Sequence, residues 1–225
     1  MKRDTFHAAV AVLDSRWRRV GAVFFILYSV GALGHLFGPT REIMLAMTPW
    51  FLLTLGVVSL LPLVAGGRRY VWFWAVGTFL LTYLLEVLGV HTGLVFGGYQ
   101  YGRGMGVPVF GVPPLIGFNW VLVCLGAIRL VQGWTLPWGV KVLIAAALAT
   151  AFDYLMEPVA IALGYWSWAG GEIPLQNYVA WFLIALVAGF FYFVGPVRIK
   201  TRLPLLHLGA QAFFFLVLQI FAGGG

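Results

Sequence analysis

The chain has 225 residues, of which 62% are hydrophobic and only 9% are charged, and its formal net charge is +7. A soluble domain is about half apolar and about a quarter charged, so the composition excludes that class and indicates an integral membrane protein. The single cysteine, Cys124, lies in an apolar segment, which excludes a disulfide framework and a thiolate metal cluster.

Apolar segments follow one another along the whole chain, each near the ~17–25 residues that a membrane-spanning helix needs. They predict an all-α, polytopic membrane bundle of about seven transmembrane helices, organised as a single membrane domain over residues 1–225. Residues 1–19 predict a short amphipathic segment on the cytoplasmic surface, because Phe6, Ala9, Val10, Leu13 and Trp17 recur at helical spacing. The predicted spanning segments within the bundle of residues 20–225 are 20–37, 43–65, 70–90, 114–131, 140–163, 178–194 and 205–221.

The basic residues set the predicted orientation. With the N-terminus in the cytoplasm, twelve of the 14 cations fall on the inner side, and only Arg41 and Arg103 fall on the outer side. The positive-inside rule therefore predicts a multi-pass protein of the cytoplasmic (inner) membrane and assigns the net charge to topology, not to nucleic-acid binding. The first apolar segment follows Arg16, Arg18 and Arg19 without a small-residue cleavage pattern, so we expect a signal anchor.

Two outer loops, 91–113 and 164–177, have unusual content for solvated loops. The first contains many glycines together with Phe96, Tyr99 and Tyr101, and we expect it to fold back and line a cavity. The second contains Trp166 and Trp168, which indicate either an interfacial aromatic belt or an aromatic lid over the same cavity. A phosphate-binding loop is disfavoured, because the glycines lack a preceding strand and a following Lys-Ser or Lys-Thr pair.

Two carboxylates lie inside the segment 140–163, where an acid costs roughly 2.5–3.5 kcal/mol and indicates a functional site by default. Asp153 and Glu157 are four residues apart and share one helix face. At about 1.5 Å per residue, Glu86 and Asn119 fall at a similar depth in the outer half.

Salt bridges cannot neutralise all of these acids. Five acids (Glu42, Glu86, Asp153, Glu157 and Glu172) lie on the outer side or in the outer half, against only two arginines. We therefore expect at least one of the three intramembrane acids to keep its proton and to serve as a general acid.

Other chemistries remain as alternatives. His91 could cap a helix, shuttle a proton or join Glu86, Asp153 and Glu157 in a carboxylate-rich metal site, although a lone histidine follows no ligand spacing. His35 and His207 are interpreted as packing or interfacial residues. A buried acid relay would also suit a proton-coupled transporter, but the chain shows none of the inverted repeats typical of that class.

Several ordered motifs between residues 78 and 181 together resemble one family. They are residues 86–93 (EVLGVHTG), 96–101 (FGGYQY), 111–114 (GVPP), 119–120 (NW), 150–158 (TAFDYLMEP), 164–168 (GYWSW) and 173–181 (IPLQNYVAW). The pattern resembles the carotenoid 1,2-hydratases of the bisanhydrobacterioruberin hydratase type, which are integral membrane proteins of carotenoid biosynthesis. The chain departs from that pattern at Phe152, where the family has Trp, at Glu157, where it has Asp, and at Glu172, where it has Gly.

The resemblance implies that water is added across the terminal 1,2 double bond of an acyclic carotenoid, a substrate that dissolves in the bilayer lipids. It implies a proton from Asp153 or Glu157 and a water oriented by Glu86, and it requires neither a cofactor nor a metal. A cyclase or isomerase that uses the same acid, and a non-catalytic carotenoid-binding protein, remain open, as does the oligomeric state. The residues expected to bind substrate or water are Asn119, His91, Tyr99, Tyr101, Trp166, Trp168 and Asn177.

Overall fold

The computed structural model describes residues 2–65, 69–196 and 198–222 and, within them, the side chains of all residues except 2–7, 9, 64, 65, 103 and 222. The described part is almost entirely helical, which confirms the predicted all-α class. In chain order the helices are α1 (Lys2–Ser15), α2 (Trp17–Leu36), α3 (Gly38–Ala65), α4 (Arg69–Thr92), α5 (Pro114–Val131), α6 (Trp138–Ala162), α7 (Leu175–Val194) and α8 (Leu203–Ala222).

Helices α2 to α8 are each long and apolar enough to cross a membrane, so the protein is a multi-pass membrane protein with seven candidate spans in its described part. Their limits agree with the predicted segments except at a few ends. Helix α3 begins at Gly38, before residue 43, and helix α7 begins at Leu175, before residue 178. Pro39 and Pro174 explain both differences, because proline is well tolerated in the first turn of a helix or just before it.

The predicted N-terminal segment is helical over Lys2–Ser15 and packs against α3. Val10 on this helix is buried, which agrees with an apolar face. The predicted face also includes Phe6 and Ala9, whose side chains lie outside the described residues. The cytoplasmic position of this helix, and with it the outer position of the loops 91–113 and 164–177, stays a prediction; their side of the bundle is called the predicted outer side below.

The two loops on the predicted outer side form a small antiparallel sheet, which the sequence interpretation missed. Strand β1 (Tyr99–Tyr101) pairs with strand β2 (Trp166–Trp168). Gly102 continues the pairing by donating its N–H to the Tyr165 carbonyl over 2.8 Å. This position requires glycine, because a Cβ there would lie 2.1 Å from the carbonyl oxygen of Gly164.

Helix α5 is the most enclosed span and lies against α3, α4, α6 and α8. Close packing against α8 depends on Gly126, where a Cβ would approach Leu208 Cβ to 2.7 Å and the Pro204 carbonyl oxygen to 2.8 Å. Small residues at such contacts are typical of membrane bundles, in which helices associate through close packing because the lipid is as apolar as the side chains. The central position of α5 brings Asn119 and Trp120 to the interior of the bundle.

Candidate active site

A cavity of about 260 Å³ lies inside the bundle, below the two-stranded sheet. Its walls are mostly apolar and aromatic, and its polar lining includes three carboxyl groups and two asparagines. The structure therefore brings together groups from α4, α5, α6, α7 and both strands. Of the ten predicted site residues, nine line this cavity: Glu86, Tyr99, Tyr101, Asn119, Asp153, Glu157, Trp166, Trp168 and Asn177.

Asp153 is completely buried on the inward face of α6. Asn177, near the start of α7, donates from Nδ2 to Asp153 Oδ2 over 2.7 Å. The other carboxyl oxygen, Oδ1, is buried and has no hydrogen-bond partner among the described residues. A buried polar atom without a partner costs about 1–3 kcal/mol, so Oδ1 is available to a proton, a water or a ligand.

Glu157 lies one helical turn beyond Asp153 and is bound by both tryptophans of strand β2. The indole N–H groups of Trp166 and Trp168 donate to the same oxygen, Oε2, over 2.9 and 3.0 Å. Side chains alternate between the two faces of a strand, so Trp166 and Trp168 share the inward face while Ser167 is exposed.

Glu86 on α4 has an equivalent arrangement with strand β1. The hydroxyl groups of Tyr99 and Tyr101 both donate to Glu86 Oε2, and the distance from Tyr101 is 2.7 Å. Burial, and secondarily the nearby Glu86 carboxyl, raises the pKa of each of these two tyrosines above its ordinary value. Both phenols therefore remain protonated and keep their role as donors over the neutral range.

The pairing of β1 with β2 places the donors of Glu86 next to the donors of Glu157. Tyr99 lies opposite Trp168 with ring centroids 5.0 Å apart, and Tyr101 lies opposite Trp166 with centroids 6.0 Å apart. Each strand thus presents two aromatic hydrogen-bond donors on one face and directs both to one carboxyl. The sheet is at once a cover for the cavity and the source of donors for Glu86 and Glu157.

Among the described residues, the side chains that donate to the three carboxyls are those of Asn, Trp and Tyr, which are neutral. Arg41, one of the two arginines on the predicted outer side, donates to the backbone carbonyl of Ala162 at the end of α6 over 3.0 Å. The side chain of Arg103, the other of these two arginines, lies outside the described residues. Neutral donors satisfy a carboxyl without fixing it as an ion pair.

Aromatic rings outside the ten predicted site residues form one wall of the cavity. The rings of Trp120 and Trp181 are stacked, with centroids 3.5 Å apart and planes 14° from parallel. Phe96 stacks on the other side of Trp181 at 4.8 Å. Trp181 could have been found from its position four residues after Asn177, since residues at that spacing lie on the same helix face.

Polar groups from α2 and α8 also reach the cavity. His35 lines it while its ring packs edge-on against Phe214, with centroids 5.4 Å apart, and its Nδ1 lies 2.7 Å from the Gly31 carbonyl. A carbonyl only accepts, so Nδ1 carries the proton and Nε2 is an acceptor, which has no partner among the described residues. Tyr28 and Gln211 line the same region, and the Tyr28 hydroxyl lies 2.8 Å from His207 Nε2.

His91 is the predicted site residue that the structure does not bring to the cavity. Its ring is exposed, and Nε2 lies 3.2 Å from the Phe110 carbonyl oxygen. His91 follows Glu86 by five residues, which rotates it roughly 140° around the helix away from that carboxyl. Within the described residues, no group of three or more His, Cys, Asp and Glu side chains is arranged to hold a metal ion.

The fold and the site together define a class of protein. It is a multi-pass membrane protein whose helices enclose a cavity with apolar and aromatic walls and buried carboxyl groups. Residues 46–224 match the family described as "Carotenoid biosynthesis protein", and the chain belongs to this family. The assignment confirms the resemblance that the sequence motifs indicated.

The chain is also similar to the bisanhydrobacterioruberin hydratase of Haloarcula japonica, with 32% identity over 175 residues. That alignment covers 70% of this chain and 58% of the relative, so the chain spans less than two thirds of the relative's length. No solved structure matches the chain.

Proposed function

We propose that the protein is a carotenoid 1,2-hydratase, which adds water across the terminal double bond of an acyclic carotenoid. The observation that carries this proposal is the grouping of Glu86, Asp153 and Glu157 in one apolar cavity with neutral hydrogen-bond donors. Hydration of an alkene by this route needs a general acid that is still protonated at neutral pH, and a buried carboxyl with neutral donors can supply one. Membership in a carotenoid-biosynthesis family and the name of the similar protein support it further.

Asp153 is the proposed proton donor. From the described residues, Glu86 and Glu157 each accept two hydrogen bonds on one oxygen, whereas Asp153 accepts one, from Asn177. Donors stabilise the ionised form of a carboxyl, so the acid with the fewest donors and complete burial keeps its proton best. Oδ1, which lacks a partner among the described residues, would carry that proton toward the substrate.

The proposed hydration has two steps, protonation of the alkene and attack by water. The proton on Asp153 Oδ1 moves to the less substituted carbon of the terminal double bond, and the alkene electron pair forms the new C–H bond. A tertiary carbocation and an Asp153 carboxylate remain. Water then attacks the cation through its oxygen, and the proton it loses passes to a carboxylate, with Glu86 orienting the water and Asp153 regaining its proton at the end of the cycle.

Aromatic faces and a carboxylate would stabilise the cation. The stacked rings of Trp120 and Trp181 line the cavity, and a desolvated cation–π contact is worth about 2 kcal/mol. Glu157, held by two indole N–H groups, is best placed to remain ionised and to provide a nearby negative charge.

Acceptors for a water in the cavity favour hydration over cyclisation of the same cation. Asn119 Oδ1 is buried and, like Asp153 Oδ1, has no hydrogen-bond partner among the described residues. A water needs two or more polar partners to be held in a cavity, and these oxygens are suitable partners. A cyclase would instead have to exclude water, so that the cation closes a ring and loses a proton.

Co-expression with an acyclic carotenoid pathway in H₂¹⁸O, followed by mass analysis of the pigments, tests the proposal. The expected product is heavier than the substrate by one water, and its hydroxyl oxygen carries the label. The variant Asp153→Asn, present at the same level in the membrane, should give the unmodified substrate. A cyclic product of unchanged mass would instead support the cyclase, and labelling from O₂ in place of water would contradict hydration.

Under the predicted topology, the site lies in the outer half of the cytoplasmic membrane. The N-terminus and α1 would then face the cytoplasm, where most of the cations lie. Cysteine-accessibility labelling at α1 and at the exposed residue Leu94 tests this orientation, since the two positions should react from opposite sides of the membrane.

A further inference from the structure

The cavity reaches the lipid-facing surface of the bundle at one place. Among the described residues that line it, three are exposed: Leu27, Val30 and Met47, at 36%, 57% and 55%. The first two lie on α2 and the third lies on α3, whereas the other lining residues are buried or half-buried. This exposed part of the lining, on α2 and α3, is called the opening below, and the described residues of the sheet that line the cavity are buried or half-buried.

The opening lies at the depth of the lipid chains. Helices α2 and α3 are joined by the single residue Phe37. Val30 lies about 20 Å along α2 from Trp17, and Met47 lies about 14 Å along α3 from Gly38, counted at 1.5 Å per residue. Neither position is close to the ends of the two spans, so the opening faces hydrocarbon in a bilayer whose core is about 30 Å thick.

The end of the α2–α3 hairpin is closed. The Thr40 hydroxyl donates to the Gly34 carbonyl over 2.7 Å, which fastens the two helices next to Phe37. Gly34 also lies against Met44, since a Cβ on Gly34 would be 2.7 Å from Met44 Cγ. An apolar molecule can thus reach the cavity from the side, through the membrane, and not over the top of these two helices.

The walls of the opening suit a flexible apolar chain. Leu27, Val30, Met44 and Met47 present aliphatic and thioether surfaces, and methionine adapts readily to the shape of its neighbours. Gly31 leaves space in the passage, because a Cβ there would meet only Phe214, at 3.7 Å. The lipid-exposed face of the bundle leads directly through this gap to the carboxyl groups.

The position of the opening determines how a long chain enters. The lining residues that are exposed lie on α2 and α3, and the sheet covers the cavity. A long apolar chain that enters between α2 and α3 leads with one end. The part of the chain that stays outside lies in the bilayer, which dissolves it.

We propose that the gap between α2 and α3, bounded by Leu27, Val30 and Met47, is a lateral entrance through which the end of an acyclic carotenoid reaches the acids. The remaining polyene stays in the bilayer throughout the reaction. The identity of the entering molecule, an acyclic carotenoid, rests on the proposed hydratase function, whereas the position of the entrance rests on the geometry of α2 and α3. The entrance makes terminal double bonds the accessible ones, since an internal bond cannot reach the acids unless the chain folds back.

Photolabelling tests the entrance without relying on the reaction. The protein in phosphatidylcholine vesicles is irradiated with an acyclic isoprenoid hydrocarbon that carries a diazirine, with and without excess lycopene, and the labelled residues are mapped by mass spectrometry. We expect lycopene-sensitive labelling at Leu27, Val30 and Met47. Lycopene-sensitive labelling confined to the sheet or to other helix faces would overturn the proposal.

Blocking variants test the entrance through product formation. Val30→Trp, Met47→Trp and Gly31→Phe fill the gap from three sides and should lower turnover by about tenfold or more, because a chain end held short of the acids loses its reactive position. The matched controls Ile26→Trp on α2 (61% exposed), Ile43→Trp on α3 (57% exposed) and Gly77→Phe on α4 place the same bulk on lipid-facing positions outside the cavity. Equal turnover in blocked and control variants at equal membrane levels would overturn the entrance.

The two experiments separate the entrance from the reaction. If the wild type forms no hydroxylated product but is labelled at the gap, the entrance stands and the hydratase proposal fails. If hydroxylated product forms but the label appears elsewhere, the reaction stands and the entrance is wrong.

Discussion

Asn177 donates a hydrogen bond from Nδ2 to Oδ2 of the fully buried Asp153, and the bond joins helix α7 to helix α6 inside the cavity. It directs one carboxyl oxygen to the amide and leaves the other, Oδ1, without a partner among the described residues. The hydrogen bond orients the proposed proton donor and pairs an acid with an amide that lies 24 residues away in the chain.

Replacing the acid alone should abolish the reaction without unfolding the protein. Asp153→Asn keeps the size of the side chain and removes the transferable proton, so we expect no hydroxylated carotenoid and a normal membrane level of protein. The double variant Asp153→Asn/Asn177→Asp restores an acid–amide pair with the acid on α7. If the position of the acid on α6 matters, this variant should also remain inactive. Activity of the single variant would remove Asp153 from the mechanism, and activity of the double variant alone would show that the acid can act from α7.

Loss of a single indole donor should destabilise the protein and slow the reaction. Trp166→Phe or Trp168→Phe removes one of the two hydrogen bonds to Glu157, and a hydrogen bond to a charged group contributes about 1.5–3 kcal/mol. We expect a lower unfolding temperature in detergent for each variant. Trp138→Phe is the control, since Trp138 is half-exposed at the other end of α6 and its ring contacts Phe190 and not the cavity.

Deprotonation of Tyr99 and Tyr101 in alkali should lower the stability of the folded protein. Their pKa values are raised above 10.0 in the folded state, by burial first and by Glu86 second, so the unfolded chain loses these protons at a lower pH than the folded chain. The stabilisation is fully present below pH 10 and is lost as pH rises above that value, by at most about 1.4 kcal/mol per pH unit for each tyrosine. Between pH 9 and pH 11, the free energy of unfolding should fall more steeply with pH for the wild type than for Tyr99→Phe or Tyr101→Phe. An equal slope would contradict the prediction.

The outward faces of β1 and β2 provide a control for the tryptophan variants and the tyrosine variants. Gln100 and Ser167 alternate with the functional aromatics and are exposed. Gln100→Ala and Ser167→Ala should therefore leave turnover within about twofold of the wild type and change stability by less than about 0.5 kcal/mol. A large effect would mean that the sheet acts through its outer surface and not through its donors to Glu86 and Glu157.

The stacked tryptophans should affect the chemical step more than substrate binding. Trp181→Leu keeps an apolar side chain but removes the ring that stacks on Trp120 and Phe96. If this aromatic wall stabilises a carbocation by about 2 kcal/mol, turnover should fall by roughly 30-fold, with a smaller change in KM. Turnover of Trp181→Leu equal to that of the wild type, with only KM raised, would assign the wall to substrate binding alone.

The sequence predicted the spans because each apolar segment is long, and the cost of placing acids in lipid singled out Asp153, Glu157 and Glu86. Both signals are local: they depend on composition and on helix length, and the described structure agrees with the expected spans. The depth argument also grouped Asn119 with the acids, since the rise of a helix is fixed and the spans share a common membrane.

The two strands were missed although their signal was present. Tyr-Gln-Tyr and Trp-Ser-Trp alternate with a period of two, but three residues are too few to indicate a strand within a glycine-rich loop. Their pairing joins residues more than 60 positions apart, Tyr99 with Trp168 and Tyr101 with Trp166, which sequence spacing does not reveal.

The sequence by itself thus determined that this is a multi-pass membrane protein with acids inside its apolar segments, because hydrophobic length and the cost of a buried charge are properties of short segments. Only the tertiary structure decided which donor binds which carboxyl, that His91 faces away while His35 lines the cavity, and that the exposed lining residues lie on α2 and α3. Those features depend on the rotation of each helix about its axis, which is set by packing against neighbours that are distant in the chain.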